Sequence, residues 1–256
     1  MFLAIDAGNS NVVFAIYDEE KSSWTNQFRL NTEPESLKSQ LTKKVPLYFL
    51  EHQLGPQDIH QIGMSSVVPE INSILLEFCN SFLGTKPYLI EAASYKNIPV
   101  KTIRPREIGT DLMCNVRGAW EKYRQATIIV DFGTALTFTV VNDLGEVVGV
   151  NIVPGLRTAI NSLVSNTSKL PEVELKLPKS AIGKNTVHAI QAGILYGYTG
   201  LVKEMIRTIK AETNSDYKII ATGGLASILK TLESEFDEID KNLTLEGLRL
   251  ITLENR

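Results

Sequence analysis

The apolar positions fall into short runs and periodic stretches, and these predict strands alternating with helices. Leu3–Ile5 is a buried run, Asp6-Ala7-Gly8 interrupts it, and alternation resumes through Val12–Tyr17, which reads as strand, turn, strand. A third strand is expected near Trp24–Leu30, a helix within Glu35–Gln53 and a strand near Ile62–Val67. Pro69 is placed to open a helix running through Phe82, since its fixed φ suits a first turn. Tyr88–Ile90 predicts a short strand and Ile98–Pro105 an irregular segment. Asp111–Arg124 predicts a helix, with Met113, Val116, Ala119, Trp120 and Tyr123 at helical spacing. In the second half, a hairpin from Ile128 precedes a strand at Glu146–Ile152 and a helix at Leu156–Leu163, after Pro154-Gly155. A long helix follows at Thr186–Ala211, then a strand at Tyr217–Ala221, a helix at Gly224–Leu232 and an amphipathic helix at Leu245–Leu253. This alternation predicts an α/β protein with two halves meeting at a cleft.

The pattern repeats. Leu3–Asp18 (LAIDAGNSNVVFAIYD) aligns without a gap on Ile128–Asp143 (IIVDFGTALTFTVVND) at one constant offset, a little under half the chain. Asp6 then meets Asp131, Gly8 meets Gly133 and Asp18 meets Asp143. Two tandem copies of one domain account for such an offset. The boundary is expected on or beside the helix at 111–124, giving domains 1–115 and 116–256.

Composition narrows the function classes. The 26 Lys and Arg against 29 Asp and Glu leave a net charge of −3, with no basic run to follow a phosphate backbone. Nucleic acid is therefore not expected as a partner. The 2 cysteines, Cys79 and Cys114, form no CxxC pair, and the 3 histidines stand far apart, so no thiol or imidazole metal site is expected. The N-terminus places Asp6 where a signal peptide would need its apolar run, and no run of about 18 apolar residues occurs. A reducing cytoplasm and no membrane span are expected.

The candidate chemistry lies in the turns. Asp6 ends a buried strand, where a carboxylate is costly unless something pairs with it. Ala7, Gly8, Asn9, Ser10 and Asn11 then offer backbone N–H groups and small polar side chains that suit phosphate oxygens, with Asp6 placed for Mg²⁺. A hairpin with Asp and Asn in ordinary turn positions would carry the same residues. The second Asp-x-Gly-polar turn, Asp131-Phe132-Gly133-Thr134, favours the phosphate reading, because turn preference does not explain a repeated buried carboxylate. At Glu107-Ile108-Gly109-Thr110-Asp111, Thr110 reads as an N-cap and Asp111 as a first-turn acid, with Gly109 leaving room for a ligand. Gly183-Lys184-Asn185-Thr186 looks like the end of a P-loop, but the glycine that motif needs is replaced by Pro178. Ala221-Thr222-Gly223-Gly224-Leu225 reads as a tight strand-to-helix turn or as backbone packed on a nucleotide.

Taken together, DAGNSN (6–11), SSVVP (65–69), EIGTD (107–111), VDFGTA (130–135), PG (154–155), IGKNT (182–186), QAGILYGY (191–198) and ATGGLA (221–226) resemble the type III pantothenate kinases across nearly the whole chain. That resemblance implies a duplicated actin-like (ribonuclease H-like) ATPase fold of the acetate and sugar kinase, Hsp70 and actin superfamily. It implies ATP-dependent phosphorylation of pantothenate, the first step of coenzyme A synthesis, with Mg²⁺, a monovalent cation (K⁺ or NH₄⁺) and a homodimer. Residue by residue, it places Asp6, Ala7, Gly8, Asn9, Ser10, Asn11, Val12 and Val13 in the ATP phosphate loop. Thr134 becomes a phosphate contact, Asp131 the cation ligand and Asp111 the proton acceptor, while Gly223 and Gly224 join the nucleotide contacts. Gly109, Thr110, Asp111, Leu112, Thr102 and Thr186 fall on pantothenate positions, with Thr186 reaching the substrate from the neighbouring subunit. Two positions depart from the family pattern: Leu112 stands where Arg is usual and Thr102 where Tyr is usual. The lost guanidinium is a natural carboxylate partner. An accessory nucleotide-binding protein without kinase activity, or a sugar kinase, are the alternative expectations.

Overall fold

The computed structural model describes residues 1–213, 215–226 and 228–256. The first sheet comprises β1 (Phe2–Ala7), β2 (Asn11–Asp18), β3 (Ser23–Asn31), β4 (Gln61–Ser66) and β5 (Tyr88–Leu89), in the order β3-β2-β1-β4-β5. The second comprises β6 (Thr127–Phe132), β7 (Ala135–Val141), β8 (Val147–Pro154), β9 (Lys218–Thr222) and β10 (Glu238–Ile239), in the order β10-β9-β6-β7-β8. The helices are α1 (Pro34–Glu51), α2 (Asn72–Phe78), α3 (Thr110–Tyr123), α4 (Leu156–Ser165), α5 (Thr186–Thr213) and α6 (Leu243–Glu254). The chain divides into two compact units, Met1–Glu121 with Asn242–Arg256, and Lys122–Lys241.

Read from the far edge, the second sheet repeats the first strand for strand. In each, the leading strand pairs antiparallel with its hairpin partner and parallel with a later strand. The hairpins differ by one residue: Asp6 pairs with Val13, whereas Asp131 pairs with Thr137. The gapless alignment therefore slips by one past the turn, and Asp18 answers to Asn142 rather than Asp143. Two details agree with that. The outer pairing is bulged between Ile16 and Tyr17 in one copy and between Val140 and Val141 in the other. Asp18 Oδ1 accepts the N–H groups of Glu20 and Lys21, and Asn142 Oδ1 accepts those of Leu144 and Glu146.

Strand alternation sorts each sheet into two faces. In the first unit, Leu3, Ile5, Val12, Phe14 and Ile16 bury against Leu37, Leu41, Val45 and Phe49, which recur every four residues along α1. The opposite face receives α6, where a Cβ on Gly63 would come within 2.2 Å of Thr252 Oγ1. In the second unit Ile128, Val130, Phe132, Leu136 and Phe138 bury against Leu195, Val202 and Ile206 of α5.

Three expectations change. The C-terminal helix belongs to the first unit, and the boundary drawn between residues 115 and 116 falls inside α3. The reason is close packing of α3 on α6: a Cβ on Gly247 would lie 1.7 Å from the Cys114 carbonyl oxygen, and one on Gly118 would lie 2.6 Å from that of Leu243. Arg117, nearly enclosed in α3, reaches Glu254 of α6 at 2.6 Å and Glu121 at 2.8 Å. Gly224–Leu232 is not an α-helix; Gly223 sits at φ +90, turns follow, and a 3-10 segment occupies Lys230–Glu235. Ser227, inside that expected helix, lies outside the described residues. The helix expected from Pro69 to Phe82 is composite, with a 3-10 turn before α2 and a π turn at Cys79–Leu83 that ends at Gly84 in left-handed conformation.

Candidate active site

In the first unit the chemistry gathers at the carboxyl ends of β1 and β4, where α3 begins. Register places Asp6 beside Ser65 on one face of the sheet. The Ser65 hydroxyl meets that of Thr110 at 2.9 Å, and Thr110 also donates to the Ser66 carbonyl. Thr110 thus fastens the start of α3 to β4. The capping carbonyl belongs to Gly109, which accepts the Met113 N–H at 3.1 Å, so Thr110 is the first helical residue rather than the N-cap. Asp111 follows, its Oδ1 accepting the Leu112 N–H at 2.8 Å. Burial pushes the Asp111 carboxyl above its usual range, and the Leu112 N–H opposes that only in part. The Cys114 thiol, one turn on and fully buried, is pushed well up by burial and then by the charges of Asp6 and Asp111. Asp6, Ser65, Thr110, Asp111 and Cys114 therefore form one cluster, in which Ser65 and Cys114 were not singled out from sequence.

The loop between β1 and β2 is held by its backbone. Gly8 N–H donates to the Asn11 carbonyl, and the Thr32 hydroxyl donates to the Gly8 carbonyl at 2.7 Å. Asn9, Ser10 and Asn11 are exposed, whereas Ala7 and Val12 are buried and Val13 is half-buried. A Cβ on Gly8 would meet only the Asn11 oxygen, at 3.4 Å, so the turn itself tolerates a side chain there. Leu112 and Thr102 are the two departures from the family pattern. Leu112 is only 8% exposed, placing an apolar side chain in protein where a guanidinium is usual. The Thr102 hydroxyl accepts the Arg104 N–H, and Arg104 pairs with Glu107 on the surface.

In the second unit Asp131, Gly133, Thr134, Gly155 and Gly223 come together. The Thr134 carbonyl accepts the Gly155 N–H at 2.9 Å and the Thr158 hydroxyl at 2.6 Å. A Cβ on Gly155 would lie 2.3 Å from the Gly133 oxygen, and one on Gly223 would lie 2.5 Å from Asp131 Oδ1. Both glycines are needed for the close approach, while Gly224 is exposed beside them. Thr186 opens α5 on the surface, but the cap is Asn185, whose side chain accepts the His188 N–H and whose carbonyl accepts that of Ala189. Among the described residues no group of three or more His, Cys, Asp or Glu could hold a metal ion by itself. No helix of these residues is long and apolar enough to cross a membrane.

Comparison with known proteins gives the family and the fold. The family model described as type III pantothenate kinase matches residues 2–208. The type III pantothenate kinase of Geotalea uraniireducens is 40% identical, covering 100% of this chain and 99% of its own. That of Geobacter sulfurreducens is 38% identical, covering 100% of both. Among solved structures, the activator of 2-hydroxyisocaproyl-CoA dehydratase from Clostridium difficile, with bound ADPNP, superposes with a TM-score of 0.54 at 8% identity, covering 99% of this chain and 94% of its own. The inorganic polyphosphate/ATP-glucomannokinase from Arthrobacter sp. strain KM superposes with a TM-score of 0.50 at 14% identity, covering 100% and 99%. These likenesses establish the duplicated actin-like fold. With its full-length relatives and its matching motifs, the chain belongs to the type III pantothenate kinase family.

Proposed function

We propose that the protein transfers the γ-phosphoryl group of ATP to the primary hydroxyl of pantothenate, as the first step of coenzyme A synthesis in the cytoplasm. The observation that carries this reading is Asp111, a half-buried carboxyl raised above its usual range at the start of α3, in one cluster with Asp6. Phosphoryl transfer asks mainly for positioning and charge stabilisation. A base with a raised pKa takes the hydroxyl proton more effectively than an ordinary aspartate, so Asp111 is assigned that proton as the oxygen attacks. Gly109, Thr110 and Leu112 flank it on the pantothenate side, with Thr102 nearby in sequence and Thr186 assigned to the partner subunit of a homodimer.

The residues from Asp6 to Val13 are assigned to the ATP phosphates, with Thr134, Gly223 and Gly224 as further nucleotide contacts. A single carboxylate such as Asp6 suits Mg²⁺, which keeps several waters and takes its other oxygens from phosphates. Asp131 is assigned to the monovalent cation. When bound, the two cations neutralise charge that builds on the phosphate oxygens. The buried Leu112 in place of an arginine leaves the pantothenate carboxylate without that partner, which predicts weaker substrate binding rather than slower chemistry.

The test is ADP release from MgATP with pantothenate or a panel of sugars, with and without K⁺. Turnover with pantothenate alone supports the proposal, turnover only with a sugar replaces it with a sugar kinase, and none with either points to an accessory nucleotide-binding role.

A further inference from the structure

Tyr95 lies in a 3-10 turn (Ala92–Asn97) of the first unit and is only 7% exposed. Its hydroxyl oxygen is buried and has no hydrogen-bond partner among the described residues. The turn is held by other groups. Asn97 Nδ2 donates to Asn255 Oδ1 at 2.8 Å, and Asn255 Nδ2 donates to the Ser94 carbonyl at 3.1 Å. The Ser94 hydroxyl meets that of Tyr88 at 2.8 Å and accepts the Glu91 N–H. Elsewhere the Tyr123, Tyr196 and Tyr198 hydroxyls each donate to a protein oxygen.

A buried hydroxyl left unpaired is destabilising, so the one on Tyr95 calls for a partner from outside the fold. Its surroundings say where that partner would sit. The phenol is pushed up first by burial and then by the charges of Cys114 and Asp111. Those two residues are one turn apart on the same face of α3, so the hydroxyl looks onto the start of that helix. It is near enough to Asp111 to feel its charge and too far to bond to it; Asp111 Oδ1 accepts the Leu112 N–H instead. A carboxylate and a phenol placed in this way are two polar anchors for one ligand. They suit a molecule with two oxygens a short span apart, one giving a proton to the carboxylate and the other hydrogen-bonded to the phenol. Pantothenate carries such a pair, a primary hydroxyl and a secondary hydroxyl two carbons further along.

We propose that Tyr95 binds the secondary hydroxyl of pantothenate while Asp111 receives the primary one. This rests on the kinase reading for the identity of the acceptor; the anchor itself comes from an enclosed, orphaned hydroxyl beside α3.

The experiment is titration calorimetry of the full-length wild type and Tyr95→Phe with pantothenate and with 2-deoxypantothenate, which lacks only the secondary hydroxyl. A non-hydrolysable ATP analogue with Mg²⁺ and K⁺ is present throughout. The wild type should bind pantothenate about tenfold more tightly than the deoxy compound, the scale of one hydrogen bond whose loss leaves a buried group unpaired. Tyr95→Phe should lose about tenfold in affinity for pantothenate and should separate the two ligands by no more than about twofold, because both changes remove the same contact. Its kcat should stay within about twofold of wild type, since the contact is made equally before and during phosphoryl transfer. Without ligand, Tyr95→Phe should melt at or above the wild type, because the phenol bonds to nothing in the fold. Equal binding of the two ligands by the wild type, undiminished discrimination by Tyr95→Phe, or a lower Tm of the free variant overturns the contact. Turnover by the wild type is scored separately. Pantothenate bound with the expected discrimination but not phosphorylated rejects the kinase reading alone; turnover without that discrimination rejects the Tyr95 contact alone. No binding of pantothenate rejects both.

Discussion

At the scale of single residues, Asp111 carries a consequence for both rate and stability. Its folded pKa lies above the ordinary 3.8 because burial disfavours the charge. The folded state then binds the proton more tightly than the unfolded one, so stability falls as pH rises from the ordinary value to the raised one. Asp111→Asn removes that cost. The variant should melt higher than wild type at pH 8 and no higher at pH 3, while turnover falls by about 10²–10⁴-fold. The acid limb of the wild-type rate profile should likewise lie above the range of an ordinary aspartate. Calorimetry and initial rates over that pH span check both. Gly8 gives a second residue-scale outcome. Its Cβ position is nearly open, so Gly8→Ala should leave Tm unchanged within about 0.5 kcal/mol of stability. If the loop holds phosphate, the same change should raise the KM for ATP several-fold; an unchanged KM removes Gly8 from the nucleotide site.

At the scale of elements, much was legible because the strands and hairpins are built from strict alternation. Ile128, Val130 and Phe132 lie in the core while Asp131 projects from the other face, as period two requires. The repeat was legible through its aspartates and glycines. Its register was missed although the alternation carried it: the hairpin is one residue shorter, and the buried Leu136, Phe138 and Val140 answer to Val12, Phe14 and Ile16 only after that slip. The Gly224–Leu232 helix failed for a local reason: glycine in positive φ at 223 sends the chain into turns that apolar spacing does not report. The roles of Thr110 and Asn185 also depended on geometry, because neighbouring polar residues at a helix start compete for the cap and sequence does not rank them. Gly155 provides the test at this scale. Gly155→Ala pushes a methyl into the Gly133 and Thr134 carbonyls and should cost about 1–3 kcal/mol, with weaker ATP binding, measured by denaturant unfolding and nucleotide titration. A neutral effect on both would show that the turn around Thr134 is not held there.

Over the whole molecule, the chain closes its first unit with its last helix. That could not be read from the amphipathic pattern of Leu245–Leu253, which says that a face is buried but not against what. The answer lies in Gly118 and Gly247, whose missing side chains let α3 and α6 touch backbone to backbone. Gly247→Ala should cost about 3 kcal/mol or more, since the obstacle is the Cys114 main chain and not a side chain that can turn away. The start of α3 carries Asp111, so this change should also depress turnover well below the folding midpoint. Candidate site residues were legible where motifs match the family, and unreadable where this chain departs from it: Leu112 and Thr102 report only that a charge and a ring are missing.

The proposed reaction is phosphorylation of pantothenate with Asp111 as the proton acceptor. The most direct measurement is a quenched single-turnover reaction with MgATP, pantothenate and K⁺, read by mass spectrometry for phosphopantothenate. The wild type should form that product stoichiometrically, and Asp111→Asn should form it at least about 10²-fold more slowly while binding ATP with unchanged affinity. Product formation by Asp111→Asn at near wild-type rate would remove Asp111 as the proton acceptor, and none from the wild type would overturn the reaction itself.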